Sequence, residues 1–217
     1  MSIQQREFSR FIKLLNDNDC LEHVILVGSW AEYVYQEAGL LEDFDANIKT
    51  MDMDFLIKNL NKPMPVKNVA ALARVEGYLV ESDILTGVTK IYDKAGLEIE
   101  FLIGKRGAGV ETALETNLGV TAQALRHMEI LSRNTIDIDY FGMKITVPSP
   151  EAYTIHKIVI NKERGVKQEK DQRAIGNIWH SLDAQEINRI VDTLTTKERK
   201  IFEQYYTEHN LNQQRMN

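Results

Sequence analysis

The sequence predicts an α+β chain: a mixed β-sheet core flanked by helices over residues 1–147, followed by an all-helical unit over residues 148–217. Three observations carry this prediction. Short apolar or alternating runs recur between Val24 and Val147 with helical periods between them, and after Pro148 only the helical period remains. At the junction, Pro148-Ser149-Pro150-Glu151 is a helix start, since Ser149 caps, Pro150 suits the first helical position and Glu151 complements the dipole. With 217 residues, 43% hydrophobic and 27% charged, the chain is long enough to bury a sizeable core.

Taken in order, Phe8, Phe11, Ile12 and Leu15 recur at helical spacing over residues 3–17, and Asn16-Asp17-Asn18 ends the period. Val24 to Val27 is a short β-branched apolar run, read as a buried strand. Gly28-Ser29 turns the chain into a helix over 30–38, with Ser29 at its cap and Gly39 at its end. Met51 to Ile57 alternates as a strand. A loop over 61–65 leads to a helix over 66–76 with Val69, Leu72, Ala73 and Val75 available for packing. Strand-like material lies between Tyr78 and Asp93, and Lys94-Ala95-Gly96 turns into a further strand, Leu97 to Ile103. Gly119 to Ser132 carries Val120, Ala124, Leu125, Met128 and Leu131 at helical spacing and is predicted helical. Residues 136–139 and 143–147 form a hairpin, and helices follow near 150–162, 167–181, 184–194 and 196–208. The polar tail Asn210 to Asn217 is expected to fray.

Bulk properties narrow the function. A net charge of −6 argues against coating long nucleic acid by charge alone, although Lys and Arg residues gather between Lys157 and Arg173. No apolar run reaches the ~20 residues of a membrane span, and Met-Ser-Ile-Gln-Gln-Arg-Glu lacks a signal-peptide core, so no membrane association and a cytoplasmic location are expected. Cys20 is the lone cysteine, which leaves no intrachain disulfide and no cysteine-rich zinc site.

The chemistry concentrates between Val24 and Ile57. A strand followed by Gly28-Ser29 and a helix exposes backbone N–H groups and the positive end of a helix dipole, and glycine lets a phosphate approach the backbone closely. Further on, alternation sends Asp52 and Asp54 to one face of their strand and Met51, Met53 and Phe55 to the other. Two adjacent carboxylates repel unless a cation neutralises them, and hard oxygen ligands suit Mg²⁺ or Mn²⁺. An isolated Asp-x-Asp more commonly decorates a solvated strand face, so the pair needs support from elsewhere. That support comes from Glu98-Ile99-Glu100-Phe101-Leu102-Ile103, whose Glu100-Phe-Leu-Ile echoes Asp54-Phe-Leu-Ile and offers a third carboxylate. Ile136-Asp137-Ile138-Asp139 has the same period but no Gly-Ser turn before it, and is read as a solvated strand.

Gly28-Ser29, Asp52-x-Asp54 and a later Glu98 or Glu100, in this order, resemble the DNA polymerase β-like nucleotidyltransferase superfamily. Val147-Pro-Ser-Pro-Glu-Ala-Tyr-Thr-Ile-His156-Lys157, with Arg164 and Lys170-Asp171 after it, is more specifically similar to a bacterial branch of uncharacterised and toxin-type nucleotidyltransferases. The likeness covers roughly residues 20–180. It implies transfer of a nucleoside monophosphate from a nucleoside triphosphate to an acceptor hydroxyl on a small molecule, an RNA end or a protein, with pyrophosphate leaving.

By that resemblance Asp52 and Asp54 hold two divalent ions, Gly28 and Ser29 position the β- and γ-phosphates, and Lys157, with Lys170 second, reaches the triphosphate from helices that close over the nucleotide, while Arg164 is read as reaching either phosphate or only a surface acid. The third ligand is a glutamate where the superfamily more often has aspartate, with Glu100 favoured over Glu98 by the hydrophobic run that follows it. His156 is expected to pack or hydrogen-bond within the fold. The alternative implied is a catalytically silent binding module, for example of a toxin–antitoxin pair.

Overall fold

Two neighbouring strands of one sheet put every predicted acid on a common face, and the rest of the fold serves to hold that face. The computed structural model describes residues 2–41, 46, 51–105 and 112–211. Its principal sheet contains β1 (Val24–Val27), β2 (Asp52–Ile57), β3 (Leu79–Ser82), β4 (Thr89–Tyr92), β5 (Glu98–Gly104), β6 (Ala113–Glu115) and β7 (Thr121–Leu125), in the order β1-β2-β5-β4-β3 with β7 and β6 continuing from β5. β2 and β5 run parallel with Asp52 beside Glu98 and Asp54 beside Glu100, while β1 runs antiparallel to β2 with Val27 beside Asp54. The far edge of β5 is shared: β4 pairs its first half and β7 its second. A separate two-stranded sheet joins β8 (Thr135–Tyr140) and β9 (Met143–Pro148).

Opposite the acids, Met53, Phe55, Ile57, Ile99, Phe101 and Ile103 face the main core, as alternation requires. Helix α1 (Ile3–Asp17) buries Phe8, Phe11, Ile12 and Leu15 there and is closed at its start by a capping box between Ser2 and Gln5. Phe8 stacks on Trp30 of α2 (Ser29–Glu37) at 4.6 Å between ring centroids, which fixes the helix that follows Gly28. Helix α3 (Val69–Val75) is shorter than the predicted 66–76 and leaves Val75 in solvent at 84% exposure, because its buried face is Val69, Ala70 and Ala73.

The predicted helix over 119–132 is corrected. Residues Thr121–Leu125 are β7, and helix α4 begins only at Met128 and runs to Arg133. Gly119 sits at a φ of +66° against Asn68, where a side chain has no room, and Ala122 and Ala124 then alternate into the core as a strand edge on β5 requires. Met128 and Leu131 of α4 fold back onto Ile25, Val27, Leu56 and Leu102, a small apolar cluster on the same face as the acids.

After Ser149, whose hydroxyl accepts from the Ala152 N–H, the chain is helical: α5 (Pro150–Ile160), α6 (Gln168–Trp179), α7 (Ala184–Thr193) and α8 (Thr196–Glu208). Helix α5 is buried on nearly every side, being mostly apolar and packed against α4, α6, α7 and α8. Asp137 and Asp139 lie on the exposed face of β8, as the alternation predicts, with Asp137 paired to Lys144. Among the described residues no helix is long and apolar enough to cross a membrane. The end of the predicted fraying tail, from residue 212 on, lies outside the described residues.

Candidate active site

Gly28 is a glycine for a geometric reason. Its φ is +70°, and a Cβ added there would stand 2.6 Å from Oδ2 of Asp54. The backbone at the start of α2 therefore lies directly against the carboxylate of the neighbouring strand. Gly28 itself occupies the cap position and Ser29 is the first helical residue, with no side-chain capping bond, so the expected capping role of Ser29 is not seen.

Gly28, Asp52, Asp54 and Glu100 line one cavity of about 420 Å³, roofed by α5 and α6. Asp54 is held in a costly state. Its carboxyl is pushed up to about 6, chiefly by burial and then by the charges of Glu100 and Asp52, with Lys167 and Arg164 offsetting part of this. Among the described residues no cluster of three or more His, Cys, Asp or Glu side chains is arranged to hold a metal ion. The donor chemistry nevertheless suits a hard divalent cation: two carboxylates share a strand face, a third lies in register beside Asp54, and burial makes their mutual repulsion expensive.

The two candidates for the third acid are now separable by position. Glu100 lines the cavity and lies beside Asp54, whereas Glu98 lies beside Asp52 and is not part of the cavity wall. Both are held by Lys90 of β4, whose ammonium is 2.5 Å from Glu98 and 2.9 Å from Glu100. Burial and the Glu98 charge raise the Glu100 carboxyl despite that lysine. Lys90 escaped sequence reading because its partners are set by the register of β4 on β5.

The predicted cations sort differently. Lys157 and Arg164 both line the cavity, but both are tied to Asp171 of α6, at 2.7 Å and 2.9 Å. Asp171 is fully buried, and although burial opposes its charge, Lys157 and Arg164 hold its carboxyl below the usual range. Lys170 is exposed and outside the cavity wall. Lys167 stands there instead, 3.7 Å from Asp52. Nearby, Tyr153 donates to Glu32 of α2, whose carboxyl is raised by burial, so the helix after Gly28 is pinned to α5.

Two histidines complete the wall. His156 is buried, its Nε2 has no hydrogen-bond partner among the described residues, and burial pulls its pKa down to about 3, so it is a neutral ring rather than a cation. His127, between β7 and α4, is hydrogen-bonded through Nδ1 to Glu198 at 2.6 Å. Nothing in the local sequence signalled that pairing, whose members are 71 residues apart.

A family model described as Nucleotidyltransferase matches residues 6–198. Among solved structures, the chain is similar to an antigenic nucleotidyltransferase-like protein from Paracoccidioides brasiliensis, with a TM-score of 0.56 at 12% identity over 96% of this chain and 91% of that one. It is also similar to the antibiotic-resistance factor ANT(2'')-Ia in solution, with a TM-score of 0.50 at 13% identity over 98% of both chains. For the same factor in complex with adenylyl-2''-tobramycin the TM-score is 0.51 at 14% identity over 94% of this chain and 99% of that one. At these identities the likeness is one of fold. No protein of curated function matches the sequence.

Proposed function

The chain belongs to the nucleotidyltransferase family, and from that premise we propose that its cavity moves a nucleoside monophosphate from a nucleoside triphosphate to an acceptor hydroxyl, releasing pyrophosphate. The observation that carries this reading is the contact geometry at Gly28, a side-chain-free backbone at a helix start pressed against an acid-lined floor. Such a cradle accepts a phosphate on the Gly28–Ser29 side while the acids face the α-phosphorus.

Asp52 and Asp54, with Glu100 as third ligand, would hold Mg²⁺ or Mn²⁺, two ions in the complete site. When bound, those ions lower the pKa of the attacking hydroxyl and neutralise the triphosphate. The protein's own part is positioning and charge. Lys167, on the cavity wall beside Asp52, offers an ammonium to the phosphates. Lys157 and Arg164 present theirs from a rigid frame built on Asp171. Lys170 acts at longer range, from the exposed face of α6.

For the acceptor, the net charge of −6 weighs against long nucleic acid. The fold likeness along nearly the whole chain to a factor seen with adenylyl-2''-tobramycin favours a small hydroxylated molecule over an RNA end or a protein.

The test uses ATP, GTP, CTP and UTP labelled either at the α- or at the γ-phosphate, with Mg²⁺ and cell extract. The α label should pass to an extract component and the γ label should leave in pyrophosphate, with Asp54→Asn slowing transfer by at least about 100-fold. Failure of every nucleotide to give transfer or pyrophosphate release would leave a silent binding module as the better reading.

A further inference from the structure

His127 is the feature of this cavity that the reading above does not use. Three observations single it out. Its backbone is in the left-handed region, at φ 63° and ψ 6°, a conformation that is strained for a non-glycine residue and persists only where the surroundings impose it. Its ring is anchored at Nδ1 by Glu198, 2.6 Å away on α8. Its side chain is only 11% exposed, yet it lines the cavity that holds Asp52, Asp54 and Glu100.

Glu198 is itself fixed. While Oε1 takes His127, Oε2 accepts from the Thr195 N–H at 2.9 Å and its hydroxyl at 2.7 Å, within the capping box of α8. Burial works against its charge, but these hydrogen bonds from His127 and Thr195 hold the carboxyl below the ordinary glutamate range. An ionised carboxylate accepts only, so the proton of a neutral ring sits on Nδ1 and Nε2 is left with its lone pair.

Placement gives that lone pair a role. Across the sheet the order is β1, β2, β5, β7, so the Gly28 cradle at the end of β1 and His127 just past β7 approach the acids from opposite flanks. Along the strands the cradle stands near the level of Met53 and Ile99, whereas Leu125, two residues before His127, lies beside Gly104, so His127 sits toward the C-terminal end of β5 from the acids. In-line displacement needs the leaving and attacking oxygens on opposite sides of the phosphorus. If pyrophosphate leaves toward Gly28, the acceptor enters from the His127 side. Glu100, the other base available there, is engaged by the Lys90 ammonium at 2.9 Å.

We propose that His127 is a catalytic residue that binds the acceptor hydroxyl and takes its proton, with Glu198 as its positioning residue. This rests on the nucleotidyl-transfer reading. In the step, the hydroxyl proton passes to Nε2, the acceptor oxygen bonds to the α-phosphorus, and the bond from that phosphorus to the bridging oxygen breaks. Pyrophosphate carries away the electron pair.

The left-handed backbone supplies the right variant, because His127→Gly suits that conformation and leaves a ring-sized space. With α-labelled nucleotide, Mg²⁺ and extract, His127→Gly should transfer about 100-fold more slowly than wild type. Its Mg²⁺–ATP affinity by calorimetry should stay within about twofold, and added imidazole at pH 8 should restore transfer at least tenfold. Glu198→Gln should lower kcat about tenfold with KM for the nucleotide unchanged. Wild-type transfer rates in His127→Gly, or a loss that imidazole leaves untouched, would overturn the assignment. Absence of transfer by the wild type would instead remove the reading beneath it, and the assignment with it.

Discussion

At the residue scale, the account depends on Gly28 and Asp54. A methyl group at position 28 would meet Asp54 Oδ2 at 2.6 Å in a backbone already at φ +70°. Gly28→Ala should therefore displace the carboxylate and weaken Mg²⁺–nucleotide binding at least about tenfold in calorimetry, while costing the fold only about 1–2 kcal/mol. Asp54 gives a prediction in the absence of any nucleotide. Its carboxyl is raised from 3.8 to about 6. The folded chain thus holds that proton more tightly than the unfolded chain, and the associated stability is present below pH 3.8 and lost as the pH rises toward 6. At pH 8 without divalent ions, Asp54→Asn should be more stable than wild type by up to about 3 kcal/mol in urea unfolding. Saturating Mn²⁺ should narrow that gap by stabilising the wild type alone. A variant no more stable than wild type would contradict the crowding of charge at this site.

At the element scale, α5 and α6 are locked by one buried triad. Lys157 on α5 and Arg164 after it share Asp171 on α6, with the Lys157 and Asp171 side chains 10% and 2% exposed. Removing the shared anion strands two cations, so Asp171→Asn should destabilise the protein by about 3 kcal/mol. It should also raise KM for the nucleotide more than it lowers kcat, since the cations lose their frame. Equal thermal melting of variant and wild type would show the triad to be unimportant.

Elements also show what the sequence could and could not convey. β1, Gly28, β2 and β5 were legible because their information is local: a β-branched run, a glycine before a helix, strict alternation of acids with core residues. The stretch Thr121–Leu125 was not, because Val120, Ala124 and Met128 fall at helical spacing although the neighbouring β5 makes a strand of it. Lys90, Glu198 and the pairing of Asp171 with Lys157 and Arg164 were hidden for the same reason. Each acts through a partner chosen by sheet register or helix packing, so Lys167 rather than Lys170 reached the cavity wall and His127 found its carboxylate on the last helix.

At the scale of the whole molecule, a sheet face supplies the acids, a glycine turn supplies the cradle and the later helices supply the cations and, through Glu198, the anchor of His127. The central claim is that one cavity brings these together around a nucleoside triphosphate. It is tested most directly by crystals grown with Mn²⁺ and a non-hydrolysable triphosphate, read by anomalous scattering. The account predicts manganese at about 2.1–2.2 Å from oxygens of both Asp52 and Asp54, near the length usual for such a cation, and phosphate oxygens on the backbone N–H groups at Gly28 and Ser29. Manganese and nucleotide bound elsewhere, with the face between Gly28 and Glu100 bare, would contradict it.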